Sequence, residues 1–422
     1  MRPVSARTCA RVGRVTIMNQ VIRVADAREV LALVPFQLGY TPRESVVFVA
    51  LRGERQRLGV MARADGRDLV QPSGKSLLGS IMDFLARDGA TKAIAIVYAD
   101  CDDGSVAPWL NEAVDRIERL AVRRMPVTAW WVNGTDLRIG RHDLEAAQAV
   151  SEKSANAPES ALGASGLSWD EPLPIGDLST TQVSATMVVH GHVVAGNRAE
   201  LARLPRMSPE LEHRLWRAGD RYRRLFKPPL DAADSAQGRQ WLARSGELWD
   251  AALDASAARS FNGITGRPEL PPLTWARLGV ALNHKGVRDR VLARIVGMSL
   301  EGGSDADSAP SSGTGDGADF SELFAPTGST VPDTALLQGL SEAVAYATAA
   351  TRHKHRSDGH AVLALLAWWE GSGAKAAEHC DTALRIDRKH RLAVLVRHML
   401  DIGLPPGWVA NRDSRFSEAM RE

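Results

Sequence analysis

The chain has 422 residues, of which 44% are hydrophobic and 24% charged, and its formal net charge is +2. This composition is typical of globular proteins and excludes a chain that binds nucleic acid or anionic membranes through its overall charge. The three cysteines, Cys9, Cys101 and Cys380, are too few and too far apart for a disulfide framework, which fits a reducing compartment. No apolar run reaches the roughly 20 residues that span a bilayer. We therefore expect a cytoplasmic protein of two or three domains with no membrane contact.

The chain opens with a basic segment that lacks the apolar region of 7 to 15 residues typical of a signal peptide, and residues 1–19 are predicted to be disordered. Asp26 can cap a helix over 27–34, which Pro35 disturbs at its far end. The valine-rich run 45–51 and the alternating run 57–64 are then joined by a short polar link, a pattern typical of a β-hairpin.

Helix and strand patterns alternate after the hairpin, which predicts crossover helices and parallel pairing. Asn133-Gly134 lies between two extended segments and predicts a second hairpin, because both residues tolerate positive φ. Together these patterns indicate an α/β fold with a mixed sheet covered by helices. The predicted elements are helices 75–87 and 108–123 and strands 92–98 and 127–132.

Apolar spacing predicts mainly helices in the second half of the chain, after an extended stretch over 181–194. Residues 301–319 are rich in Gly, Ser and Asp and predict a linker, because they cannot bury enough apolar surface to fold. A small all-helical bundle with tetratricopeptide-like helices is expected to follow. The predicted helices before the linker are 198–204, 210–226, 238–258 and 273–296. The expected organisation is an α/β domain over 20–300 with a helix-rich second half, a linker over 301–330, a helical domain over 331–408 and a tail over 409–422.

Several segments together resemble a family of uncharacterised actinobacterial proteins, domain of unknown function 4192. The resemblance lies in LALVPFQLGYTPRESVVFVAL followed by RLGVMARAD, and in LLAWWEGSGAKAAEHCDTALRID followed by LPPGW. It extends from about Val21 to Trp408. Members of this family commonly carry a Trp-Arg-Ser-Tyr-like strand and a nearby Cys, whereas this chain has WWVNGTDLRIGRHD. The resemblance implies a soluble intracellular protein with an α/β part and a helical tail, and it implies no reaction.

Polar side chains cluster at one expected edge of the sheet, where the first hairpin begins and ends. A ligand could bind there, since loops on a rigid scaffold often carry function, although turn geometry alone also explains such residues. The candidate ligand-binding residues are Thr41, Arg43, Glu44, Ser45, Arg63 and Asp65.

Asp100, Asp102 and Asp103 follow the apolar strand AIAIVYA at its carboxyl end. Open α/β sheets bind ligands at this end of their strands, and carboxylates there could hold Mg²⁺ with a phosphorylated substrate. A solvated loop that caps the next helix explains the same residues. They are a candidate metal site, and no cofactor is otherwise identified.

The segment 213–227 mixes arginines with aromatic residues, as nucleic-acid grooves do. At helical spacing, however, the aromatic residues form a core face and the arginines a solvated one. Arg217, Arg221 and Arg224 are the candidate nucleic-acid contacts, although a net charge near zero makes nucleic acid the less favoured partner.

Trp368 and Trp369 are adjacent, so on a helix they point about 100° apart. One is expected in the core, and the other could anchor a protein partner, as exposed tryptophans often do.

The sequence contains no recognisable catalytic motif, and the best hypothesis is therefore a protein that works by binding, with a protein partner as first choice. The alternatives are an enzyme acting on small molecules or phosphates at the acidic sheet edge, with Mg²⁺ as a conceivable cofactor, and a nucleic-acid-binding protein.

Overall fold

A computed structural model describes residues 14–17, 20–23, 26–54, 56–99, 107–142, 167–189, 193–225, 235–262, 264, 268–301 and 332–408. The backbone contacts divide the chain into two compact units, residues 1–197 and 198–422. Each unit has its own core.

In the described residues of the first unit, seven strands form a mixed sheet in the order β4-β3-β5-β6-β7-β8, with β9 paired to β7. β5 and β6 run parallel, whereas β3 pairs antiparallel with both β4 and β5. β1 and β2 form a separate antiparallel pair. The strands are β1 (Arg14–Ile17), β2 (Gln20–Arg23), β3 (Ser45–Arg52), β4 (Arg57–Asp65), β5 (Ala90–Tyr98), β6 (Val127–Asn133), β7 (Asp136–His142), β8 (Leu167–Trp169) and β9 (Leu173–Pro174).

Helices cover this sheet, as the sequence predicts. They are α1 (Ala27–Leu38), α2 (Gly66–Val70), α3 (Gly74–Arg87), α4 (Leu110–Arg124) and α5 (Gln182–Val189). Phe48 and Val97 lie on one face of the sheet and pack in one core with Leu78 of α3 and Ile117 of α4. Residues of the opposite face, such as Val47, are also fully buried. Both faces of the central strands are therefore covered, which confirms the predicted fold class.

The hairpins and the first helix form where local signals predict them. Asp26 accepts a hydrogen bond from the Glu29 amide at 3.1 Å, and Gly39 ends α1 in the left-handed region at φ +80°. Pro35 does not end the helix as predicted, since α1 continues to Leu38. Val30–Val34 and Leu38 are buried, and this packing outweighs the hydrogen bond that proline cannot donate.

The stretch predicted to be extended over 181–194 instead begins with α5. The Glu29 carboxylate accepts hydrogen bonds from the backbone amides of Gln182 (3.1 Å) and Val183 (2.9 Å), and the Thr181 hydroxyl accepts one from Ser184. These contacts satisfy amides in the first turn that have no partner within the helix. A cap supplied from another part of the chain thus overrides the local preference of β-branched residues for strands.

The second unit is helical, and its helices share one hydrophobic core. They are α6 (Pro209–Leu225), α7 (Ala236–Phe261), α8 (Pro272–Ala281), α9 (Lys285–Glu301), α10 (Thr334–Ala349), α11 (Ser357–Trp369), α12 (Gly373–Ile386) and α13 (Arg391–Asp401). The helix predicted over 273–296 is divided into α8 and α9, with a break at Leu282–His284. The helical C-terminal region is confirmed, and the likeness of its helices to tetratricopeptide repeats stays a prediction. In the part of the chain that the structure describes, no helix is long and apolar enough to cross a membrane.

Two boundaries differ from the sequence-based division. Helices α6 to α9 belong with the C-terminal helices rather than with the sheet, because Trp249 and Trp275 share a core with Leu340 and Trp369. Residues 14–17, within the segment predicted to be disordered, form β1, whose β-branched residues favour a strand. The remainder of that segment, most of the predicted linker and the tail over 409–422 lie outside the described residues.

Candidate ligand-binding site at the sheet edge

The predicted ligand-binding residues meet at one edge of the seven-stranded sheet, the edge that is formed by the ends of its strands. Ser45, the first residue of β3, lies opposite Asp65, the last residue of β4, and opposite Tyr98, the last residue of β5. The carboxyl ends of the parallel strands β5 and β6 lie at this same edge, where Tyr98 is opposite Val132. Ligands of open α/β sheets generally bind at this position.

Glu44 enters this edge with an unusual backbone conformation. Its φ is +41°, a left-handed value that is uncommon for residues other than glycine. Its carbonyl accepts a hydrogen bond from the Gly66 amide at 3.0 Å, and its carboxylate lies 3.0 Å from the Arg67 guanidinium. The turn before β3 is thus held against the start of α2, with its acidic side chain directed to Arg67.

The remaining predicted residues lie on the segment before this turn and on the end of β4. Arg63 and Asp65 form an ion pair at 2.6 Å, in which Arg63 is largely buried and Asp65 half-exposed. Thr41 and Arg43 are exposed on the segment before Glu44.

A small open pocket of about 250 Å³ lies beside the Glu44–Arg67 pair and is lined by Glu44, Arg67, Ala107, Pro108 and Trp109. Trp109 precedes α4 and is only 6% exposed. Gly66 lies flat against the Trp109 ring, and a Cβ at this position would overlap the indole. The pocket therefore has an ion pair on one side and an apolar, aromatic wall on the other.

Sequence reasoning missed Gly66, Arg67 and Trp109. Arg67 lies two residues beyond the predicted cluster, and the Pro108-Trp109 pair before a helix was the available signal for the apolar wall. The crossover from β5 into α4 brings this pair to the edge, and such a meeting has no local signature.

Buried polar atoms without a partner lie at the same edge. The Ser45 hydroxyl and the Trp109 indole N–H are inaccessible to solvent and make no hydrogen bond among the described residues. Burial raises the pKa of the neighbouring Tyr98 phenol further above its usual value. An unpaired buried donor costs about 1–3 kcal/mol.

The predicted metal residues Asp100, Asp102 and Asp103 lie outside the described residues. Elsewhere, in the described ranges, no group of three or more His, Cys, Asp or Glu side chains is arranged to hold a metal ion.

The two tryptophans predicted to offer a partner anchor are both buried, at 2% exposure for Trp368 and 0% for Trp369. The Trp368 indole donates to the Leu404 carbonyl at 2.8 Å, and the Trp369 carbonyl accepts from Trp408 at 2.8 Å. This prediction of an exposed anchor was wrong, because α11 is buried on all sides. Arg217, Arg221 and Arg224 are exposed on α6.

One protein family, Domain of unknown function (DUF4192), matches the chain over residues 28–407. No curated protein and no solved structure matches the chain.

Proposed function

The chain belongs to the family Domain of unknown function (DUF4192), whose description names no activity, and we propose that the protein works by binding a small polar ligand at the sheet edge. The observation that carries this proposal is the pocket in which the strained Glu44 faces Arg67 beside Trp109. The few, scattered cysteines support a cytoplasmic location for this binding.

Backbone strain supports the proposal first. A non-glycine residue in the left-handed region costs about 1–2 kcal/mol, and strained residues cluster at ligand-binding sites. Glycine would fit the φ of Glu44 without this cost. The Arg67 side chain is 75% exposed and the Glu44 side chain 38%, so their ion pair returns little stability. A role in binding explains why a charged residue occupies this turn.

The lining defines the ligand class. Arg67 can donate two parallel hydrogen bonds to a carboxylate or phosphate group, and Glu44 can accept from an amine or hydroxyl. Trp109 and Pro108 offer an apolar surface to the rest of the molecule. A volume of about 250 Å³ lies below the roughly 300–1,000 Å³ of pockets for drug-sized ligands. We infer a small molecule with an acidic group, a hydrogen-bond donor and a short apolar part.

A ligand-observed NMR screen of small amino acids, hydroxy acids and phosphorylated metabolites tests this proposal. We expect at least one to bind the wild-type chain, and Arg67→Ala to weaken binding at least tenfold. Lys92→Ala is the matched control, because Lys92 is an exposed cation on β5 near the opposite end of the sheet. Equal binding by the wild type and Arg67→Ala, or equal weakening by both variants, would exclude this site.

A further inference from the structure

Helix α6 of the second unit carries a row of four arginines on its outer face, and these residues are independent of the sheet edge. Arg214, Arg217, Arg221 and Arg224 are all exposed. At 100° per residue they fall within an arc of about 80°, and they span about 15 Å along the helix. We call this set the arginine face.

Three other charged residues of α6 are engaged within the unit. Arg223 donates to the Asn283 side chain at 3.1 Å, Asp220 pairs with Arg352 at 2.7 Å, and Glu212 pairs with Arg356 at 3.4 Å. By contrast, among the residues that the structure describes, no carboxylate lies within 4 Å of the four guanidinium groups of the arginine face. Glu210 lies on the same arc, one turn before Arg214, so the row keeps a formal charge of +3.

The composition of this face favours phosphate groups over an acidic protein. Protein interfaces depend on apolar or aromatic anchors at their centre. The arc from Glu210 to Arg224 carries only charged side chains at its exposed positions, which suits the polar, positively charged contacts made with nucleic-acid backbones. Arginine is also the residue best shaped for two-pronged contact with phosphate.

The aromatic residues of α6 limit the form of the nucleic acid. Arg352 lies over the ring of Trp216 at 5.4 Å, and Arg277 lies over the ring of Tyr222 at 5.8 Å. An arginine therefore already covers one face of each ring, and that face is not open to stack on an unpaired base as single-strand binding generally requires. A row of guanidinium groups without a stacking platform fits the phosphates of a duplex.

We propose that the arginine face binds the phosphate backbone of double-stranded nucleic acid without reading its sequence. Each neutralised phosphate of B-DNA changes the slope of log K against log salt by about −0.9, so four contacts give a slope of roughly −3.6. Binding is therefore measurable at low salt and weak at physiological salt. This proposal does not depend on the sheet-edge pocket, and either can fail alone.

Fluorescence anisotropy with a fluorescently labelled 30-base-pair DNA duplex of arbitrary sequence, titrated with the full chain at several salt concentrations, tests the proposal. We expect salt-sensitive binding by the wild type. In the variant Arg217→Ala/Arg221→Ala/Arg224→Ala the slope should become shallower, about −1, since only Arg214 of the arginine face remains. Circular dichroism melting confirms that the variant is folded, as these side chains are exposed.

The matched control is Arg244→Ala/Arg388→Ala/Arg391→Ala, which removes three exposed arginines elsewhere in the second unit. Both triple variants change the formal net charge from +2 to −1. The control should keep the wild-type slope. Equal loss in both variants, no salt-dependent binding by the wild type, or tighter binding to polyglutamate than to the duplex would each overturn the proposal.

Discussion

Asp358, at the start of α11, is expected to hold the helical unit together through a buried polar network. Its carboxylate accepts hydrogen bonds from Arg288 (2.6 Å), from His390 Nε2 (3.0 Å) and from Asn283 (3.0 Å). His390 Nδ1 accepts from the Ala393 amide, which assigns the proton to Nε2. Burial raises the pKa of Asp358, but His390, Arg288 and Asn283 lower it overall, so the group is ionised at pH 7.

Asp358→Ala leaves the Arg288 charge and the His390 and Asn283 donors without their shared acceptor. Breaking a buried charge pair from one side costs about 3–5 kcal/mol. The Asp358 and Arg288 side chains are 17% and 15% exposed, which places our expectation at the lower end, about 3 kcal/mol. Asp358→Asn keeps the shape and one acceptor, and we expect roughly half that loss.

Urea unfolding of the full chain, followed by tryptophan fluorescence, measures this change in the free energy of unfolding. The matched control is Asp381→Ala, which breaks the half-exposed Asp381–Arg397 pair of the same unit. Exposed pairs contribute about 0–1 kcal/mol, so the control should change stability little. A loss below 1 kcal/mol for Asp358→Ala, or an equal loss in the control, would refute the assignment of this network as a structural centre.

Two further predictions concern the same unit. A Cβ on Gly279 of α8 would overlap the Ala347 carbonyl of α10, so Gly279→Ala should lower the free energy of unfolding by about 1–3 kcal/mol in the same urea assay. Gly297→Ala is the control, because its Cβ would enter open space, and it should raise the free energy of unfolding by up to about 1 kcal/mol. A similar effect at both sites would contradict the close approach of α8 and α10 at Gly279. His360 and His379 share a hydrogen bond between their Nδ1 atoms at 3.0 Å, and burial lowers the pKa of His360 to about 4 and that of His379 well below its usual value. Because unfolded histidines take up protons below about pH 6.5, the free energy of unfolding should fall by up to about 1.4 kcal/mol per pH unit for each histidine between pH 6.5 and 4. His360→Leu/His379→Leu should flatten this dependence in unfolding curves recorded from pH 7.5 to 4.5, and an unchanged slope would count against two buried neutral histidines.

The parts of the fold that follow from local signals could be predicted from the sequence. The valine run of β3, the Asn133-Gly134 turn and the Asp26 cap each act over a few residues, and the structure places them as expected. The alternation of helix and strand after β4 also fixes the parallel pairing of β5 and β6, because only a crossover can join them.

Features that depend on distant contacts could not be predicted. α5 begins where the Glu29 carboxylate caps it, although about 150 residues separate the two in sequence. The division into units depends on a core shared between the segments before and after the predicted linker. Trp368 and Trp369 are different, because a helix that is apolar on all sides indicates full burial, and the sequence carried that signal.

The candidate site was predicted in part. Glu44, Ser45, Arg63 and Asp65 lie on one hairpin, so strand pairing brings them together as the sequence indicates. Trp109 completes the pocket through the crossover from β5 into α4.

Glu44→Gly tests the central claim most directly, with Gln56→Gly as its matched control. Glu44 and Gln56 both have left-handed φ values, +41° and +47°, and Gln56 lies in the turn at the other end of the β3–β4 hairpin. Glycine relieves the strain at either position, and we expect both variants to keep or slightly raise the free energy of unfolding. Isothermal titration with the best ligand from the NMR screen should show at least tenfold weaker binding for Glu44→Gly and unchanged binding for Gln56→Gly. Undiminished binding by Glu44→Gly would contradict the account.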